Sequence, residues 1–140
     1  MLTRRQLMAA GAAVAAQAAV ARAADAPAAA GDASQNFARA AADCVVSGEA
    51  CMQHCLTELA GGDKTLGECA QMVNQMLAVC RAVGPIVDAK GKYVRGMAQL
   101  CTAVCSDCEQ ACRKHAEHHA VCRTCADACA AVVAAAKPFV

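Results

Sequence analysis

Four segments of the chain repeat their apolar residues with the period of an α-helix. Ser34 is suited to cap the first segment, and glycines at 61, 62 and 91 mark the first two turns. The connections are short, which makes consecutive helices antiparallel neighbours. The pattern predicts an all-α, antiparallel up-down-up-down four-helix bundle over residues 34–60, 64–83 (extending to 89 beyond a kink at Gly84–Pro85), 93–115 and 119–136.

The chain contains twelve cysteines, and they lie on the apolar stripes of these segments. Successive cysteines within a segment are 3, 4, 7 or 11 residues apart. At about 100° per residue these steps keep each set within an arc of about 60° on its helix. Polar residues such as Glu49 and Glu58 fall between the stripes, so the cysteines should point into the core. They are Cys44, Cys51, Cys55, Cys69, Cys80, Cys101, Cys105, Cys108, Cys112, Cys122, Cys125 and Cys129.

Antiparallel packing predicts layers of cysteines along the bundle axis. The layer next to the first and third turns contains Cys55, Cys69, Cys112 and Cys122, and the next contains Cys51, Cys108 and Cys125. Deeper lie Cys44, Cys80, Cys101, Cys105 and Cys129. The far end is apolar, with Phe37, Val83, Val87, Val94, Met97, Val132 and Val133. We therefore predict a tube that is lined by thiols from one mouth and closed by an apolar plug.

The N-terminal residues have the pattern of an export signal. Arg4–Arg5 precede an uncharged, alanine-rich run, and Ala21-Arg22-Ala23 is a small-x-small cleavage sequence. The paired arginines resemble a twin-arginine signal, and an ordinary export signal is the alternative. These features predict a signal peptide over 1–23, a flexible linker over 24–33, a bundle over 34–140, and an exported, periplasmic protein.

Charge and composition exclude several partners. The net charge is +1, and loss of the three arginines of the leader would make it −2. Phenylalanine and tyrosine together number three, and tryptophan is absent from the sequence. We therefore expect no nucleic-acid partner and no membrane insertion after cleavage.

Twelve inward thiols allow three interpretations. Neighbours at i,i+4 have Cβ atoms about 5–6 Å apart, whereas a disulfide needs about 3.5–4.5 Å. Bridges between helices stay open, so a disulfide-stapled interaction protein is one alternative. The C-x-x-C pairs Cys105–Cys108 and Cys122–Cys125 lack the βαβ pattern of a redox enzyme, and we predict no enzymatic activity.

Metal binding is the interpretation that we favour. Thiolates are soft ligands that select Cu(I) or Zn(II). A zinc ion bound by four thiolates leaves a net charge of −2, and burying several such charges is costly. One Cu(I) per thiolate leaves no net charge, which predicts a capacity on the order of ten Cu(I) ions. A zinc or general soft-metal buffer remains the alternative.

Histidines cluster near the mouth of the predicted tube. His54 precedes Cys55, and we include it among the metal ligands as part of a mouth that receives copper. His115, His118 and His119 are interpreted as a solvated turn, with metal binding as the alternative. Met76 lies in the cysteine stripe, where packing is the simpler interpretation.

Several of these motifs resemble the bacterial copper storage proteins: Cys51-Met-Gln-His54-Cys55, Glu68-Cys69 through Cys80, Cys101 through His115, and Cys122-Arg-Thr-Cys125-Ala-Asp-Ala-Cys129. The resemblance implies a four-helix bundle that binds many Cu(I) ions through core cysteines, a tetramer, and a twin-arginine leader in exported members. It also implies copper supply to a copper chaperone or cuproenzyme.

The chain departs from that family pattern at two places. The last helix of such proteins carries further cysteines, whereas this one continues as alanine and valine over 130–136. Exported members can carry methionines at the mouth, where this chain has Glu58, Gly61 and Leu66. The resemblance therefore implies less copper at the plugged end.

Overall fold

The computed structural model describes residues 25–89 and 91–140, with side chains from residue 33 onward. The predicted leader lies outside these residues, so the division into signal peptide, linker and bundle stays a prediction. Within the described ranges the regular structure is helical and contains no strand. Within the same ranges, no helix combines the length and the hydrophobicity that a membrane-spanning segment needs. The prediction of an all-α fold is confirmed.

Five α-helices build a four-membered bundle. Helix α1 packs against α2 and α5, and α4 packs against the same two helices, which closes the ring. Helices α2 and α3 follow each other along one side and together form the second member. The helices are α1 (Asp25–Ala60), α2 (Gly67–Cys80), α3 (Val83–Asp88), α4 (Val94–Arg113) and α5 (Ala120–Ala136), with short 3₁₀ turns at Lys64–Leu66 and Lys137–Phe139.

Helix α1 begins before the predicted N-cap Ser34. It starts at Asp25 and includes residues that we assigned to a linker. Alanine is the strongest helix former, and a proline is tolerated in a first helical turn because its missing N–H would be unpaired there. Pro27 occupies such a position, so this alanine-rich stretch is able to join α1.

The second member of the bundle breaks earlier than predicted. The turn lies at Arg81–Ala82, before Gly84–Pro85. A proline within a helix clashes with the carbonyl four residues before it, and for Pro85 that carbonyl belongs to Arg81. Helix α3 therefore restarts at Val83, which places Pro85 in its first turn, where it costs little.

The two ends of the bundle differ in chemistry. At one end the chain turns through Gly62, whose φ of 99° suits a glycine, and Asp63 Oδ1 accepts a hydrogen bond of 2.9 Å from the Thr65 N–H. At the other end Phe37 is fully buried, with its ring centroid 5.8 Å from that of Phe139. Because Val83 and Val132 are also fully buried, the predicted apolar plug is present at this end.

Candidate metal centre

All the cysteines point into the core of the bundle. Each is at most 2% exposed, and all are free thiols. The spacing along each helix explains this burial, because steps of three and four residues keep one face inward. Among the described residues the core contains no buried charged side chain and no unpaired buried nitrogen or oxygen. The thiols are therefore the ionisable groups of this interior.

A group of four thiols lies at the end formed by the α1–α2 and α4–α5 turns. The Sγ atoms of Cys51, Cys55, Cys69 and Cys122 all lie within 4.8 Å of one another. Cys51 Sγ is 3.9 Å from Cys122 Sγ, and Cys69 Sγ is 3.4 Å from Cys112 Sγ. We call Cys51, Cys55, Cys69 and Cys122 the mouth group. Three helices thus contribute sulfur to one small volume.

Three further groups continue the line of sulfur atoms inward. Each contains three Sγ atoms within 4.8 Å of one another. The first of them shares Cys51 with the mouth group, the second shares Cys125 with the first, and the third shares Cys129 with the second. Cys80 joins this line through a 3.6 Å contact between its Sγ and that of Cys105. The groups are Cys51–Cys112–Cys125, Cys108–Cys125–Cys129 and Cys44–Cys105–Cys129, the last of which we call the inner group.

Burial and mutual hydrogen bonding spread the thiol pKa values apart. Burial raises the pKa of Cys122 to about 11, and hydrogen bonds to Cys105 and Cys108 raise the pKa of Cys129. Hydrogen bonds from Cys108 and Cys112 lower the pKa of Cys125. Thiols such as Cys122 and Cys129 are thus protonated at neutral pH, and a metal ion must displace their protons to bind. Cys125, which accepts hydrogen bonds at the centre of the line, therefore gives up its proton more readily than an isolated buried thiol.

The histidines meet at the mouth. His54 Nε2 lies 2.8 Å from His119 Nδ1, so one ring donates a hydrogen bond to the other. The rings of His115 and His119 are 6.2 Å apart between centroids. Both His54 and His119 are half-buried, whereas His118 is exposed. The structure therefore brings His54 and His119 together, although we had interpreted residues 115–119 as a solvated turn.

Met76 contacts the inner group directly. It is fully buried, and the Cys44 thiol donates a hydrogen bond of 3.4 Å to its Sδ atom. We had interpreted this residue as packing. Its position seven residues after Cys69 and four before Cys80 is the sequence signal that places it on the sulfur-bearing face.

Solved structures of copper proteins resemble this bundle. A cytosolic copper storage protein from Streptomyces lividans with five coppers matches with a TM-score of 0.71 and 27% identity, covering 78% of this chain and 92% of that chain. The Streptomyces lividans copper storage protein Ccsp loaded with 10 copper equivalents matches with a TM-score of 0.70 and 28% identity, covering 77% of this chain and 83% of that one. A search of curated proteins finds no match.

These comparisons overturn the prediction of an exported, periplasmic protein. The Streptomyces relative is described as cytosolic, and the prediction is wrong on this comparison. It depended on Arg4–Arg5, the alanine-rich run that follows them and the cleavage sequence Ala21-Arg22-Ala23. An alanine-rich run does not distinguish a signal peptide from an ordinary helix, because alanine favours helices in general.

The family comparison agrees with the fold and with the sulfur-lined core. A model of the copper storage protein family, Csp, matches residues 30–140. That range contains all the cysteines, the mouth histidines and the apolar plug. The chain belongs to the copper storage protein family.

Proposed function

We propose that this chain stores Cu(I), holding on the order of ten ions through its cysteine thiolates. The observation that carries the proposal is the continuous line of buried sulfur from the mouth group to the inner group. Adjacent groups share a sulfur, so ions bound in them would be bridged into one cluster. A relative that is described as loaded with 10 copper equivalents supports this scale.

Charge favours a monovalent ion over a divalent one. The described core holds no cationic side chain that could neutralise a thiolate. A Cu(I) ion that replaces one thiol proton leaves the interior neutral, whereas zinc on four thiolates leaves a charge of −2. Because uncompensated buried charge costs several kcal/mol, the interior is suited to many Cu(I) ions and to few zinc ions.

The decisive experiment is a titration of the fully reduced protein with Cu(I) in the presence of a competing chelator. We expect uptake to continue to about ten equivalents before the chelator retains copper. Saturation at one or two equivalents would overturn storage. Counting reactive thiols in protein purified without reductant tests the disulfide-stapled alternative, which would show few of them.

One observation favours zinc as a second candidate. The mouth group has the four thiols that a tetrahedral zinc site requires. The other groups have three sulfurs each. We therefore expect zinc to bind at about one equivalent and to be displaced by Cu(I). A zinc capacity equal to that for Cu(I) would instead favour a general soft-metal buffer.

We propose that copper passes through the histidine-bearing mouth to a copper chaperone or cuproenzyme. His54 and His119 are half-buried and close in sequence to Cys55 and Cys122 of the mouth group, and imidazole is a good copper ligand. A tetramer is also proposed from the resemblance. Exposed apolar side chains on α1, such as Val46 at 68% exposure, support it. Light scattering of apo and copper-loaded protein tests the assembly.

A further inference from the structure

Helix α2 carries a methionine on the face that bears its cysteines. Met76 lies between Cys69 and Cys80 at helical spacing. On α4 from Cys101 to Cys112, and on α5 from Cys122 to Cys129, each step of three or four residues along this face is occupied by a cysteine. Met76 is fully buried. A thioether thus faces the same interior as the thiols.

The Met76 sulfur lies within reach of an ion bound in the inner group. Its Sδ atom is 3.4 Å from Cys44 Sγ, and Cys44 Sγ is 3.7 Å from Cys129 Sγ. With metal–sulfur bonds of about 2.3 Å, three sulfurs around one ion lie about 4.0 Å apart. The separations of Cys44 Sγ from Met76 Sδ and from Cys129 Sγ are both close to this value, so Cys44 is placed to share an ion with each of them.

A glycine on the facing helix leaves the space that the thioether side chain of Met76 occupies. Gly48 is buried in α1, and a Cβ atom there would lie 2.5 Å from Met76 Cε and 2.9 Å from Leu77 Cδ2. Glycine is less favourable than alanine in a helix interior. The missing side chain provides the space in which the Met76 methyl group lies, while Sδ contacts Cys44.

We propose that Met76 Sδ is a neutral Cu(I) ligand of the inner group, completing a site with Cys44 and Cys129. This inference rests on the proposed function. A thioether is a soft donor that suits Cu(I), and it adds no negative charge to the interior. Nor does it carry a proton that the metal must displace. Met76 thus adds a ligand at the buried end without the charge that another thiolate would bring.

The direct test is X-ray absorption at the selenium edge of selenomethionine-labelled, Cu(I)-loaded protein. We expect a copper–selenium contact that disappears in Met76→Leu and persists in Met72→Leu, a control at a half-buried methionine on the same helix. A loaded protein without that contact, or one that keeps it in Met76→Leu, would overturn the inference. A wild-type protein that takes up no copper would instead overturn the proposed function.

A second variant displaces the thioether without removing it. Gly48→Ala should push the Met76 methyl aside, and the flexible ends of Met76 and Leu77 allow the bundle to fold. We expect Met76→Leu and Gly48→Ala each to weaken the retention of the inner copper against a chelator by about tenfold. Gly96→Ala is the matched control, because a Cβ there meets nothing within 4 Å. Retention in both variants equal to that of Gly96→Ala would contradict the role of Met76.

Discussion

Cys125 belongs to two of the three-thiol groups, Cys51–Cys112–Cys125 and Cys108–Cys125–Cys129. Cys101 belongs to none of the four groups whose Sγ atoms lie within 4.8 Å of one another. Both residues are fully buried in the same core. Replacing each by alanine removes the same atoms from a similar environment. The pair therefore separates the effect of losing a shared ligand from the effect of losing one core sulfur.

The structure gives the expected size of both effects. Loss of a buried group the size of one sulfur should cost about 1 kcal/mol of apo stability, or about 4 °C in Tm, in either variant. Copper retention should differ, because Cys125→Ala leaves Cys51–Cys112 and Cys108–Cys129 as two-sulfur pairs. We expect Cys125→Ala to lose about two tightly held ions, one from each group, and Cys101→Ala to lose at most about one.

The assay is Cu(I) titration of both reduced variants and the wild type against the same chelator, with thermal unfolding of the apo proteins measured in parallel. Similar Tm values with a larger copper loss in Cys125→Ala would confirm the shared-ligand arrangement. Equal copper losses in the two variants would refute it, since each thiol would then act independently of its place in the line.

Three further predictions concern the mouth, the thiol protons and the plug. His54→Ala should slow copper loading or release by about tenfold and nearly preserve the copper capacity, because His54 lies beside the mouth group and outside the sulfur line. Stopped-flow transfer of copper to a chelator measures the rate. Apo stability should fall as pH rises from about 9 to about 11. The Cys122 thiol ionises near pH 9 in the unfolded state, whereas its pKa in the folded state is about 11, so the folded state binds more protons over this range. Denaturant unfolding across that range measures the loss. Phe37→Ala should cost about 3–5 kcal/mol of apo stability with unchanged copper capacity, because Phe37 packs against Phe139 at the plugged end; denaturant melts and Cu(I) titration measure the two properties.

Each of these has a control. His118→Ala changes an exposed histidine in the connection between α4 and α5, and transfer kinetics equal to those of His54→Ala would remove the special role of His54. Cys122→Ala should flatten part of the alkaline loss of stability, and an unchanged pH profile would contradict the assignment. A fall in copper capacity in a folded Phe37→Ala protein would show that the plug shapes the sulfur line.

Local helical geometry explains why much of the site was predictable. The cysteine steps of 3, 4, 7 and 11 residues follow from 3.6 residues per turn, and short turns make neighbours antiparallel. The structure confirms the bundle and the buried position of every cysteine. The break near Pro85 was misplaced, because the steric effect of a proline falls on the carbonyl of Arg81, one turn earlier.

Contacts between helices depend on rotation and depth, which periodicity along one helix does not specify. His54 and His119 are 65 residues apart and meet at 2.8 Å, and the contact of Met76 with Cys44 requires the space at Gly48 on the facing helix. The amino-acid sequence alone therefore determined the helices, their antiparallel order and the inward face of the thiols. Only tertiary packing decided which sulfurs and imidazoles meet, because that depends on how four separate helices are rotated and aligned against one another.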